Sequence, residues 1–289
     1  INSAFVSGGP GAGKSTLLRE LHSFLAKRYS ADGEVIVVAP TGTSAKTAGG
    51  MTYHSFFGFG REYVPLRANP KKEAQRLLVT DRFGPIERRL RQVRALLVDE
   101  ISLVPAANLS VMFELLCILQ SGSRPCLWFS FGDFLQLGPV KGEMAYTASC
   151  WDKLFGNSLL ELTGAFRQRD PEFIHAVRDA RVGNYSAAVK KLVQDCFIPE
   201  CDYEKIKANI LHLMPQHKAV AKHNRACLAL LSQGGTHKTF SAVDSLELDP
   251  DRDMSVVPPE LKKVSDYSRR AALADCVAPS VVPHCLHAR

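Results

Sequence analysis

Gly8-Gly9-Pro10-Gly11-Ala12-Gly13-Lys14-Ser15 follows the apolar run Ala4-Phe5-Val6 and leads through Thr16 into a helix-forming segment. The octet satisfies G-x-x-x-x-G-K-[ST] at every fixed position, in the strand, loop and helix setting that the pattern requires. Glycines let successive backbone N–H groups turn inward around phosphate oxygens, and the helix that opens near Lys14 aims its positive dipole end at them. These residues therefore imply a bound nucleoside triphosphate, with Lys14 reaching the β- and γ-phosphates and Ser15 ligating Mg²⁺. A glycine-rich turn that merely precedes a helix would not need the lysine and the hydroxyl together.

Three further apolar runs work outward from this loop. Glu34-Val35-Ile36-Val37-Val38-Ala39 is rich in β-branched residues, as expected of a strand buried on both faces of a parallel sheet. Arg94-Ala95-Leu96-Leu97-Val98 ends in Asp99-Glu100, and Cys126-Leu127-Trp128-Phe129-Ser130-Phe131 ends in Gly132-Asp133. Each delivers acids to a strand's C-terminal edge, where open α/β sheets bind ligands. Between them Asn108 to Gln120 carries apolar residues at helical spacing. Alternating strands and helices predict an α/β fold with a doubly wound parallel sheet.

Hydrolysis needs a carboxylate near Mg²⁺ and a group to activate water, which assigns Asp99 to the metal and Glu100 to the water. Gln136, in the loop after Asp133, is an uncharged side chain able to sense a γ-phosphate.

The chain has 289 residues, 46% hydrophobic and 22% charged, the composition of a folded protein rather than a disordered one. A net charge of +7 favours a polyanionic partner without identifying one. The eight cysteines are scattered singly, and they read as reduced, mostly buried thiols rather than a zinc site. No run approaches the length of a membrane span. The first strand begins almost at Ile1, so the chain reads as an excerpt of a longer protein.

Six ordered segments carry a resemblance. Gly8 to Thr16, Ala39-Pro40-Thr41-Gly42-Thr43-Ser44-Ala45, Thr52-Tyr53-His54-Ser55-Phe56, Val98-Asp99-Glu100-Ile101-Ser102, Gly132-Asp133-Phe134-Leu135-Gln136-Leu137 and Phe166-Arg167-Gln168 closely resemble the Petite Integration Frequency family of 5′-to-3′ DNA helicases. They are more distantly similar to RecD-type helicases of superfamily 1. The resemblance implies a RecA-like motor domain over residues 1–168, interrupted by a surface insertion at 57–84. A helical connector at 169–207 and the start of an incomplete second RecA-like domain at 208–289 would follow, the latter opening with a strand at Asn209 to Met214.

It also implies ATP and Mg²⁺ as cofactors, with the nucleotide on Gly8, Gly9, Pro10, Gly11, Ala12, Gly13, Lys14, Ser15 and Thr16. Lys14, Glu100, Gln136 and Arg167 would act in catalysis, Arg167 against the γ-phosphate. Pro40, Thr41, Gly42, His54 and Phe56 would meet single-stranded DNA, the small and hydroxylated residues at phosphates and the rings of His54, Phe56 and neighbouring Phe57 under bases. Lys71, Lys72, Arg76, Arg82, Arg88, Arg89, Arg91 and Arg94 could follow a nucleic-acid backbone.

Implied partners are single-stranded and forked or structured DNA, for a monomer outside the membrane, in the nucleus or mitochondrion. Repair, recombination or telomere maintenance would be its setting. Two departures stand out: Gly138 where the family usually has proline, and Tyr53 in place of an aliphatic residue. A P-loop ATPase that remodels protein without unwinding, or a non-catalytic nucleotide- or DNA-binding remnant, would share the first motif.

Overall fold

The computed structural model describes residues 2–60, 69–80, 83–121, 126–207, 209–231, 237–241 and 281–285. The chain divides into two units, Ile1–Cys196 and Phe197–Arg289.

The first unit is built on six parallel strands: β1 (Asn2–Gly8), β2 (Val35–Ala39), β3 (Met51–Thr52), β4 (Ala95–Val98), β5 (Leu127–Gly132) and β6 (Leu159–Leu162). Their spatial order is β3-β2-β4-β5-β1-β6. All four residues of β4 are buried, as its unbroken apolar run requires of a central strand covered on both faces. Strand β6 was not evident from the sequence; three of its four residues are exposed.

Two cores cover the faces. On one side Val6, Val37, Ala95, Leu97 and Phe131 pack with Leu18 and Leu25 of α1 (Lys14–Arg28). On the other, α6 (Ala106–Leu119) buries nine of its residues and has almost no polar face, so it forms the centre of the larger core. Around it lie α3 (Tyr53–Phe57), α4 (Pro70–Leu78), α5 (Gly84–Gln92) and α7 (Trp151–Phe155).

The described residues of 57–84 correct the expectation of a surface insertion, while 61–68 and 81–82 lie outside the described residues. Phe57, Phe59, Ala74, Leu77 and Phe83 are buried in the larger core, and α4 packs on α6. Asn69 caps α4 through bonds from the Lys71 and Lys72 amides, Pro70 follows, and Ala74 and Leu77, three apart, face inward. The period is helical, and the basic residues between the apolar ones mask it.

Beyond β6, α8 (Pro171–Arg181) and α9 (Ala187–Asp195) form a helical pair that belongs to the first unit. The turn between them uses Gly183. Before α8 comes α2 (Gly42–Ala48), which completes the helices around the sheet. In the second unit, α10 (Glu200–Ile206) is followed by α11 (His217–Leu231) and an antiparallel pair, β7 (His237–Ser241) with β8 (Val281–Cys285). The strand expected from Asn209 to Met214 is absent: this stretch is non-regular, with Leu211 and Leu213 about nine-tenths exposed. Among the described residues no strand pairs with it. The thiols also differ from expectation, since among the six described only Cys126 and Cys150 are buried. No described helix is long and apolar enough to cross a membrane.

Candidate active site

The parallel order puts the C-terminal ends of β1, β2, β4 and β5 along one rim. The loop from Gly8 to Gly13 leaves β1 there and α1 begins at Lys14. Gly11 and Gly13 hold φ of +73° and +94°, in the left-handed region that side chains disfavour. A Cβ on Gly11 would also stand 2.8 Å from Cβ of Arg167. The Phe166 amide donates to the Gly11 carbonyl at 2.9 Å, which binds the Phe166-Arg167 segment to the loop. Lys14 Nζ donates to the Gly8 carbonyl at 2.7 Å and to that of Gly9 at 3.1 Å, so the ammonium lies folded along the loop.

A cleft of about 360 Å³ is lined by Pro10 through Thr16, Arg19, Glu100, Gln136, Phe166 and Arg167. Lys14, Glu100, Gln136 and Arg167, spread over 153 positions of sequence from 14 to 167, thus share one cavity. Gly8 and Gly9 lie just behind it at the end of β1. Arg19 joins the cleft without having been singled out; a helix-face arginine carries no sequence signal of its own.

The acids at the rim are held tightly. Asp99 is 8% exposed, and its Oδ1 accepts the Glu100 amide at 3.0 Å. Glu100 has φ 51° and ψ 46°, the one non-glycine with positive φ among the described residues. A left-handed glutamate costs about 1–2 kcal/mol, so this backbone is held against local preference at a residue that lines the cleft. Burial raises the Asp99 carboxyl above its ordinary range, against the pull of the Glu100 amide and Lys14. Glu100 is raised too, by burial first and by the Asp99 charge second. Burial lowers the Lys14 ammonium, while Glu100, Asp133 and Asp99 oppose that shift. Oxygen donors of this kind suit Mg²⁺, and the Asp99 carboxylate, spending one oxygen on a single amide, keeps acceptor capacity for a cation.

Beside the cleft, Asp133 is fully buried and accepts Arg181 Nε at 2.8 Å on Oδ2 and Arg181 Nη2 at 2.7 Å on Oδ1. It also accepts Gln136 Nε2 at 2.8 Å and the Leu135 amide at 3.1 Å. Burial alone would raise this carboxyl; the bonds from Arg181, Gln136 and Leu135 bring it below its ordinary value. Sequence reasoning singled out Gln136 but passed over Arg181. The available signal was Asp133 itself, because an acid ending a buried strand needs a cationic or multiply donating partner.

The residues expected to meet DNA separate into two groups. Pro40, Thr41 and Gly42 leave the rim after β2, with Thr41 and Gly42 exposed. The Thr41 hydroxyl accepts the Ser44 amide at 3.1 Å and the Ser44 hydroxyl lies 3.2 Å from the Thr41 amide, a reciprocal cap on α2. Around Gly42 an added Cβ would meet no atom within 4 Å, so packing within this chain leaves that glycine unexplained. His54 is half-buried and stacked on Tyr53 at 3.9 Å, and burial lowers its pKa below the usual 6.5.

Phe56 is a correction. It is 1% exposed and Phe57 is fully buried, edge to face at 5.1 Å, so neither presents a face to a base. With α3 lying against the larger core, the positions 56 and 57 point inward. Among the basic residues Lys71, Lys72 and Arg88 are exposed, while four others are engaged within the chain. Arg76 pairs with Glu73, Arg91 with Glu87, Arg94 lies over Tyr29, and Arg89 covers Phe56 while donating to the Ser55 carbonyl. Arg82 lies outside the described residues.

Both departures have local explanations. Tyr53 is buried with its hydroxyl accepting Asn108 Nδ2 at 3.0 Å, and burial pushes its pKa up to about 12. At Gly138 an added Cβ would stand 2.5 Å from Cε of Met144, which fills the space a ring would take.

The model of the AAA domain family matches residues 2–202. The ATP-dependent DNA helicase PIF1 of Emericella nidulans is 31% identical over 255 residues, 84% of this chain and 32% of that relative. The crystal structure of Pif1 helicase from Candida albicans matches with a TM-score of 0.72 at 26% identity, covering 98% of this chain and 59% of its own. Bacteroides Pif1 bound to ssDNA matches with a TM-score of 0.54 at 26% identity, over 74% of this chain and 54% of its own. The chain thus spans about a third of the curated relative's length. With the domain match over most of the chain and these relatives along it, the protein belongs to the Pif1 family of helicases.

Proposed function

We propose that the whole protein is an ATP-dependent DNA helicase that couples hydrolysis to 5′-to-3′ movement along single-stranded DNA and displaces the complementary strand. The observation that carries this reading is the single cleft shared by Lys14, Glu100, Gln136 and Arg167. The loop amides and Lys14 bind and orient the triphosphate. Ser15 and Asp99 would hold Mg²⁺, which supplies neutralisation of phosphate charge when bound. Glu100 takes the proton of the attacking water, and Gln136 reads the terminal phosphate. Arg167, next to the loop, balances the charge that develops in phosphoryl transfer.

The relative from Bacteroides was captured with single-stranded DNA, and Pro40, Thr41, Gly42 and His54 are this chain's candidates for that contact. Forked or structured DNA as substrate, work in repair, recombination or telomere maintenance, a nuclear or mitochondrial location and a monomeric state complete the reading. Lys14→Ala in the full-length protein is expected to abolish single-strand-stimulated ATP hydrolysis and unwinding together. Undiminished turnover in that variant refutes the proposal. Hydrolysis indifferent to single-stranded DNA in the unsubstituted protein would indicate a remodeller of protein instead.

A further inference from the structure

Arg181 sits in the last turn of α8, 48 residues from the carboxylate it clasps. Its side chain is only 20% exposed, and both oxygens of the buried Asp133 are engaged by its Nε and Nη2. A bidentate guanidinium fixes the plane of a carboxylate, which a single ammonium does not. The same carboxylate receives Gln136 Nε2, so the orientation of the Gln136 amide is set by a group that Arg181 itself orients. A carboxylate only accepts, which places the Gln136 NH₂ toward Asp133 and leaves its carbonyl oxygen and second hydrogen for the cleft. Arg181 also lies 3.7 Å from where a Cβ of Gly9 would stand, directly against the phosphate loop. At the other end of the same segment, Phe166 and Arg167 are fastened to Gly11. The stretch from Phe166 to Arg181 therefore touches the loop at both ends.

We infer that Arg181 is a positioning residue for hydrolysis: through Asp133 it holds Gln136 at the terminal phosphate, and it makes α8 part of the sensing apparatus. This rests on the ATPase reading above. Arg181 does not touch the reacting atoms; it acts through Asp133 and Gln136. A displacement of α8 would be felt at Gln136 through two consecutive bonded pairs, whereas Arg167 would be felt at the loop directly.

The test uses the full-length protein and single-strand-stimulated ATP hydrolysis, with Arg181→Ala, Arg181→Lys, Gln136→Ala and the combination of Arg181→Ala with Gln136→Ala. Arg181→Ala is expected to lower kcat about tenfold with KM for ATP nearly unchanged, and Arg181→Lys to fall too because it cannot span both oxygens. Adding Arg181→Ala to Gln136→Ala is expected to change kcat less than about twofold, since the effect passes through the missing amide. If the two losses multiply, Arg181 serves the fold generally and the inference is wrong. Melting curves report whether Arg181→Ala folds; if it does not, Arg181→Lys alone and with Gln136→Ala provides the same comparison. Absence of stimulated hydrolysis in the unsubstituted protein would overturn the motor reading and this inference with it, whereas normal hydrolysis with multiplying losses overturns the inference alone.

Discussion

Replacing Phe56 by alanine separates a core residue from a DNA-stacking one. The ring is 1% exposed, edge to face with Phe57 at 5.1 Å and covered by the Arg89 guanidinium at 5.3 Å. Removing a buried phenyl ring costs about 3–5 kcal/mol, including the cavity it leaves. In a unit of this size each kcal/mol moves the midpoint by about 2–4 °C, so a fall of roughly 6–20 °C is expected. Thermal unfolding followed by circular dichroism measures it, and fluorescence anisotropy with a labelled single strand gives affinity below the new midpoint. A base-stacking aromatic behaves in the opposite way, losing about 1–3 kcal/mol of binding on truncation with little change in folding. An unshifted midpoint together with an affinity loss of tenfold or more would refute the assignment of Phe56 to the core.

Tyr53→Phe leaves the buried Asn108 amide without its hydroxyl partner, and Asn108 Oδ1 already lacks one. A destabilisation of about 1–3 kcal/mol is expected in urea, partly recovered when Tyr53→Phe is combined with Asn108→Leu; a neutral Tyr53→Phe would contradict it. Glu100 must be ionised to accept a proton, and its pKa is raised from 4.5 by burial and by Asp99. The acid limb of the kcat/KM profile is accordingly expected above the value of an ordinary glutamate, and a limb at or below it would count against Glu100 as the base. Asp133 is shifted the other way, below 3.8, so its ionised form stabilises the fold above that value and the contribution is lost as pH falls through the lowered one. Denaturation of wild type and Asp133→Asn should therefore differ most near neutral pH and converge in acid; a constant gap would refute the linkage.

The parts of the fold that were legible in the sequence share one property: their signal is local. The phosphate-loop pattern, the β-branched runs and the Asp99-Glu100 pair that follows β4 are each recognisable within a few residues. The Arg181–Asp133 clasp does not, because an arginine near the end of an amphipathic helix reads as a solvated charge until the sheet order brings Asp133 to it. The same limit explains Phe56. An aromatic pair after a histidine is equally compatible with a stacking platform and with a core, and only the packing of α3 decides between them. At 57–84 the basic residues concealed a short amphipathic helix, while at 209–214 apolar alternation suggested a strand for which the described residues offer no pairing partner. Period alone specifies an element only when something is available to bury its apolar side.

With Glu100 as the proposed base, its left-handed backbone sets durability against turnover at one position. Glycine there would release the steric opposition between side chain and carbonyl, by up to about 1 kcal/mol, while deleting the carboxylate. Selection for heat resistance alone would thus favour an inactive enzyme at this site, and persistence of the glutamate would be the imprint of selection for hydrolysis.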